Sequence, residues 1–164
     1  MDSSAKCFLS AIFFCMFVLA GCQTTSAVYK GALAEKDTVF DLQETDAQVL
    51  SWQDLYVSLD FQVDQQGDIL VLDGFFSFAD YPQMNLARVN RFKLQVFLLN
   101  KDNIVLEYYD LYRTLGYDLD ERVAFKKTLK SPPEVTAISF GYDGEFIEEL
   151  GRREFVWKLP RRSH

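Results

Sequence analysis

From Asp54 onward the chain alternates between apolar and polar residues, and this alternation limits the folds that it can adopt. A period of two is typical of a β-strand with one buried face and one solvated face. In the first run, apolar side chains recur at every second position: Leu55, Val57, Leu59, Phe61 and Val63. The second run covers residues 69–78, and its expected inner face consists of Leu70, Leu72, Phe76 and Phe78. Gly67 indicates a turn between the runs, and Gly74 indicates a bulge or a close backbone approach.

Five further segments predict strands, at residues 89–99, 104–112, 123–129, 135–142 and 155–159. Residues 100–103 have the composition of a four-residue hairpin connection. Residues 145–150 are expected to form one helical turn that ends at Gly151. Residues 46–50 predict either a helical turn or the approach to the first strand.

Seven strands at short spacing leave no room for crossover helices, which excludes parallel α/β folds. We therefore expect an all-β fold, an antiparallel β-sandwich of immunoglobulin-like type with about seven strands, and a closed barrel is the alternative. The Cys–Trp–Cys core of true immunoglobulin domains is absent from the sequence, so this similarity concerns architecture only.

The amino-terminal segment has the pattern of a secretory signal that ends in a cysteine. An apolar run of about a dozen residues, 8–19, is shorter than the roughly 20 residues that a membrane-spanning helix needs. The residues that follow, Leu19-Ala20-Gly21-Cys22, resemble the lipobox of bacterial lipoproteins. The resemblance implies a signal peptide over residues 1–21 and lipidation (acyl chains such as palmitate) at Cys22. The globular part also resembles uncharacterised immunoglobulin-like domains found on such lipoproteins. An ordinary cleaved signal peptide and an uncleaved signal anchor are the alternatives.

The lipoprotein resemblance also implies a place in the cell. Gln23, rather than Asp, follows Cys22, and in such lipoproteins this implies transfer to the outer membrane, with the protein facing the periplasm. Residues 22–34 are small and polar, which predicts a flexible tether, and residues 35–164 then form the β-sandwich domain. Cys7 and Cys15 would leave with the signal, so no thiol remains for a disulfide.

The charge and the residue types exclude several classes of function. The formal net charge is −7, and an acidic chain is repelled by phosphate backbones, so we expect no nucleic-acid partner. Nucleophilic catalysis with an imidazole base is disfavoured because the single histidine is His164, near the C-terminus. There is no His/Cys cluster for zinc and no glycine-rich phosphate loop, and we therefore expect no enzyme activity and no cofactor.

Carboxylates are the remaining candidates for chemistry. Asp118 and Asp120 follow Gly116-Tyr117, and Asp143 and Glu145 follow Gly141-Tyr142, so two Gly-Tyr-Asp loops are expected. Oxygen ligands from two such loops are weak candidates for a calcium site, although acidic loop residues are usually only solvated. The same acids could form a glycosidase pair, but the sequence does not set their separation.

Tyrosines are the other conspicuous cluster. Tyr109, Tyr112 and Tyr117 are candidate binding residues because exposed tyrosines offer rigid apolar area with a polar tip. The alternative is a tyrosine-rich sandwich face with its hydroxyls at the rim.

The sequence is best interpreted as that of a lipid-anchored, non-enzymatic envelope protein. It would bind or help to assemble an envelope protein partner, through an open sheet edge or an aromatic surface, and contact the membrane through its N-terminal lipid. The alternative is a lipoprotein that binds a glycan or small ligand with the assistance of calcium.

Overall fold

The computed structural model describes residues 28–43, 48–117, 119 and 122–162, and within them nine strands form two antiparallel sheets. In chain order the strands are β1 (Val39–Asp41), β2 (Leu50–Gln53), β3 (Val57–Gln66), β4 (Ile69–Phe78), β5 (Arg88–Leu99), β6 (Val105–Tyr117), β7 (Val123–Lys130), β8 (Ala137–Ile147) and β9 (Arg153–Lys158). A 3₁₀ turn (Lys36–Thr38) precedes β1, and a short helix, α1 (Asp80–Asn85), joins β4 to β5. No helix in these ranges is long and apolar enough to cross a membrane.

The strand order confirms the predicted all-β antiparallel sandwich. The larger sheet has the order β1-β8-β5-β6, and β9 also pairs with β8. Since β1 pairs with residues 137–139 and β9 with residues 142–147, these two strands follow each other along the same edge of β8. The smaller sheet has the order β2-β3-β4-β7. The described part has nine strands rather than seven because β1 and β2 have three and four residues, too few to show an alternation.

The core lies between the sheets and contains the residues that the alternation predicts. The inner positions of β3 and β4 are buried: Val57, Leu59, Phe61, Val63, Leu70, Leu72, Phe76 and Phe78. Phenylalanines from the two sheets meet edge to face, as in the pair Phe61–Phe140 with ring centroids 4.6 Å apart. Gly74 is a close approach and not a bulge, because a Cβ there would collide with the Asp60 carbonyl oxygen and lie 2.9 Å from the Phe125 ring.

Leu55 departs from the predicted inner face and is exposed. The strand begins only at Val57, because Asp54 holds the preceding residues in a turn. One carboxylate oxygen of Asp54 accepts hydrogen bonds from the backbone N–H groups of Tyr56 and Val57, each at 2.9 Å. Such local bonds compete with a β-ladder and favour a turn.

The C-terminal part differs from the expected helical turn. Instead of a helical turn over residues 145–150, β8 continues to Ile147, and only the following residues turn, with Gly151 at φ 79°. In β9 the buried position is Val156, whereas Phe155 and Trp157 are exposed. Leu50 begins β2, while residues 44–47 lie outside the described part.

Residues 29–34, expected in the tether, pack on the outer face of the larger sheet. Ala32 and Ala34 are buried in a second apolar cluster with Phe97, on the opposite side of β5 from the main core. Leu33 forms antiparallel bridges to Ile104 and to residue 161. The packed domain therefore begins before residue 35, because small side chains let this segment lie flat against the sheet.

Candidate binding surfaces

The carboxylates proposed for calcium lie in the middle of a strand, not in a loop. Asp143 and Glu145 project from β8 on the outer face of the larger sheet, since Tyr142 and Phe146, which flank them in the chain, belong to the main core. The register sets Asp143 opposite Lys93 of β5, and Glu145 opposite Arg91. Each acid therefore has a base as its direct neighbour across the strand pair.

Ion pairs occupy these carboxylates. Asp143 lies 2.8 Å from both Arg91 and Lys93. The buried carboxylate of Glu145 lies 3.1 Å from the Arg153 guanidinium and 3.7 Å from Arg91. Within the described ranges no three or more His, Cys, Asp or Glu residues are grouped to hold a metal ion. Asp118 and Asp120, the other calcium candidates, lie outside those ranges.

The glycines of this strand lie in close packing contacts and not in the expected Gly-Tyr-Asp loop. At Gly141 a Cβ would collide with the Lys158 carbonyl oxygen of β9 and lie 2.9 Å from the Phe97 ring. At Gly144 it would lie 3.0 Å from the rings of Phe92 and Phe146. Close packing, rather than a turn, therefore requires glycine at these positions.

Two of the three predicted tyrosines lie on the same side of β6. A register shift between Leu94 and Gln95 leaves an extra residue in β6, so Tyr109 and Tyr112 both pack against the main core and are half-buried. Burial raises the pKa of Tyr109, whose hydroxyl donates to the Lys130 carbonyl at 3.1 Å. These two residues match a tyrosine-rich face with hydroxyls at the rim. The side chain of Tyr117 lies outside the described part.

Among the described residues, the most exposed aromatic side chains are on β9, and the alternation in the sequence did not identify them. Trp157 is 70% exposed and Phe155 is 54% exposed. They face outward because the inward positions hold Glu154 and Lys158. Glu154 accepts a hydrogen bond from the Tyr56 hydroxyl, and Lys158 lies 2.7 Å from Asp37. The sequence does not show which alternate set of β9 side chains faces inward, because Tyr56 and Asp37, which pair with the inward set, are distant along the chain.

A cavity of about 580 Å³ opens beside β9, and hydrogen bonds link the two sheets at its wall. Leu55 and Trp157 both line it. The hydroxyl of Tyr142 donates to Asp54 at 2.7 Å, joining β8 to the turn before β3. Burial raises the pKa of Tyr142, and the bond to Asp54 adds to the shift. Burial and the bond to Glu154 likewise raise the pKa of Tyr56.

A second cavity, of about 600 Å³, lies near the other edge of the larger sheet, where the amino-terminal segment meets β6. Its lining combines tyrosine rings with an amide and three ion-paired groups: Val28, Tyr29, Lys93, Gln95, Tyr108, Tyr109, Asp110 and Arg113. Tyr29 packs edge to face on Tyr108, with ring centroids 5.0 Å apart. Burial raises the pKa of the Tyr29 hydroxyl.

Comparison with protein-family models, characterised proteins and solved structures finds no match for this chain. The resemblance to immunoglobulin-like domains of lipoproteins therefore stays a prediction. The lipobox also stays a prediction, because Cys22 lies outside the described residues.

Proposed function

We propose that this protein is a lipid-anchored component of the bacterial cell envelope that binds a protein partner and has no enzymatic activity. The anchor is supported by the lipobox-like residues that end at Cys22 and by the apolar run before them. Gln23 favours the outer membrane, with the domain facing the periplasm. The lack of catalytic activity is supported by the single histidine, at residue 164.

The start of the packed domain sets its distance from the proposed anchor. Tyr29 already contacts the sheet through Phe97 and Tyr108, so little chain remains for a tether. From Cys22 to Val28 there are six residue steps, which span at most about 21 Å. The domain would therefore act close to the membrane surface, on partners that lie in or against it.

The observation that carries the proposal is an exposed apolar surface at and beside β9. We define the β9 surface as Leu55, Phe155 and Trp157; each of these side chains is more than half exposed. Tryptophan is enriched among the residues that dominate binding energy at protein interfaces. Ion-paired Asp143 and Glu145 lie directly beside the two aromatic residues in the strand register, and supply a polar border.

The open edge of β9 favours an extended segment of the partner as the occupant. In the described part of the chain, β9 forms ladder pairs with β8 alone. Its other edge therefore presents unpaired backbone donors and acceptors, which an added strand satisfies. Side chains at alternate positions of that added strand would contact Phe155 and Trp157, so backbone pairing gives affinity and the aromatic residues give selectivity.

A crosslinking experiment in intact cells tests the proposal. Phe155 is replaced by a photo-crosslinking phenylalanine analogue, and the matched control places the same analogue at Leu115, an 82% exposed residue at the other edge of the same sheet. We expect one defined protein adduct from position 155 that is absent from position 115. Identical adducts from both positions would contradict the proposal.

Affinity measurements with the identified partner complete the test. Trp157→Ala should weaken binding by about 2 kcal/mol or more, which is about 30-fold in Kd. Leu115→Ala should change it less than about threefold. An unchanged Kd for Trp157→Ala would show that the β9 surface is not the interface.

A further inference from the structure

The cavity near β6 has a polar floor whose hydrogen-bonding capacity is incomplete. Gln95 is 1% exposed, and its amide nitrogen donates to Asp110 at 2.8 Å. Because a carboxylate only accepts hydrogen bonds, this contact fixes the amide orientation. The amide oxygen then forms no hydrogen bond with any described residue, although it is buried. A ligand that supplies an O–H or N–H donor to such a buried, unpaired acceptor forms a hydrogen bond that stabilises the complex.

Each charged group around the floor has an ion-pair partner. Lys93 lies 2.8 Å from Asp143, and Arg113 lies 2.8 Å from Asp110. No unpaired cation among these residues faces the cavity to attract a phosphate or a carboxylate. The paired groups nevertheless retain N–H donors and oxygen acceptors, which suit a ligand with several hydroxyl groups.

The walls supply apolar area. Tyr29 and Tyr108 meet edge to face, and Phe97 packs against Tyr29 with ring centroids 5.4 Å apart. Aromatic rings beside a few placed polar groups are typical of small-molecule sites, and the volume of about 600 Å³ lies within their usual range of about 300–1,000 Å³. A sugar ring has this combination of properties, with one apolar C–H face and hydroxyls at its edge.

We propose that this cavity binds an uncharged saccharide of one or two rings, with one hydroxyl donating to the Gln95 amide oxygen. The remaining hydroxyls bond to Asp110 and Arg113, and a ring face packs on the tyrosines. The cavity and the β9 surface lie towards opposite edges of the larger sheet. Tyr29 lines both this cavity and the one beside β9, so the two sites are neighbours on the outer face.

A titration of the purified full chain, isotope-labelled and held in detergent micelles, tests the proposal by NMR. The probes are cellobiose and N,N′-diacetylchitobiose, each to about 10 mM, with glucose 6-phosphate as the anionic comparison. We expect at least one neutral disaccharide to shift the Gln95 side-chain amide resonances with saturation below about 1 mM, and the phosphate sugar to bind at least tenfold more weakly. No saturable shift at Gln95, or equal binding of the anionic sugar, would overturn the proposal.

Variants assign the effect to the floor of the cavity. Gln95→Leu keeps the side-chain size and should weaken binding of the neutral sugar at least tenfold, and Gln53→Leu, at an exposed glutamine of the other sheet, is the matched control. Arg113→Gln changes an exposed side chain, should preserve folding and should weaken binding severalfold. If Gln95→Leu fails to fold, Arg113→Gln decides, and unchanged sugar affinity in that variant refutes the site.

Discussion

Removal of the Tyr142 hydroxyl should lower the unfolding free energy, by an amount that depends on pH. Tyr142→Phe keeps the buried ring and deletes only the 2.7 Å hydrogen bond to Asp54. Hydrogen bonds to charged groups contribute about 1.5–3 kcal/mol. Asp54 is only partly buried, and its second oxygen keeps two backbone donors, so we expect the lower end, about 1.5 kcal/mol at pH 7. For a domain of this size the melting temperature should fall by about 5–8 °C.

The difference between the two proteins should then shrink at alkaline pH. Burial and the bond to Asp54 raise the pKa of Tyr142 in the folded state, whereas an unfolded tyrosine titrates near about 10. The stability that this group contributes is complete below about pH 10 and is lost above it, by about 1.4 kcal/mol per pH unit. The phenylalanine variant lacks this loss. The two unfolding free energies should therefore meet near about pH 11.

Urea unfolding followed by tryptophan fluorescence from pH 7 to pH 11 measures both effects. Tyr81→Phe is the matched control, because Tyr81 is exposed and its hydroxyl forms no hydrogen bond with the described residues. That variant should match the wild type across the whole range. A Tyr142→Phe difference that stays constant or grows above pH 10 would refute the reasoning.

Three further predictions follow from other features. Gly141→Ala should cost about 3 kcal/mol or more in urea unfolding, because its Cβ meets a β9 carbonyl, whereas Gly31→Ala, with open space around it and φ 80°, should cost about 1 kcal/mol. Cys22→Ala should abolish incorporation of labelled palmitate and move the protein from the membrane fraction or leave it unprocessed; normal labelling would contradict lipidation there. The melting temperature should not change with EDTA, because Asp143 and Glu145 are neutralised by basic side chains; a fall of several degrees would indicate a bound cation.

The sequence predicted the fold class and the inner faces of β3 and β4 because alternation reports directly on burial. It also predicted the hairpin at residues 100–103, where the side chain of Asn100 accepts bonds from two backbone N–H groups and Asn103 adopts φ 59°. These features depend on residues close together in the chain.

The features that sequence could not predict depend on distant partners. Tyr56 and Asp37 determine which side chains of β9 face inward, because they pair with its inward polar residues although they are far away in the sequence. The Gln95 cavity requires the register shift in β5–β6 and the amino-terminal segment above it. A glycine in a strand and a glycine in a turn also look alike in sequence, so the strand was expected to end at residue 142 and a loop to follow, whereas β8 continues to Ile147.

The amino-terminal segment has a mechanical consequence. Leu33 exchanges two backbone hydrogen bonds with Arg161, at 2.8 and 2.9 Å, while Gly31 and Ala32 bond to Val105. A pulling force applied through the chain before residue 28 would reach these few bonds before any bond of the sandwich. They can rupture one after another, as in peeling, which needs less force than shearing a long strand pair. Under tension the first event would therefore be detachment of residues 29–34, which removes Tyr29 from its cavity and lengthens the tether while the two sheets stay folded.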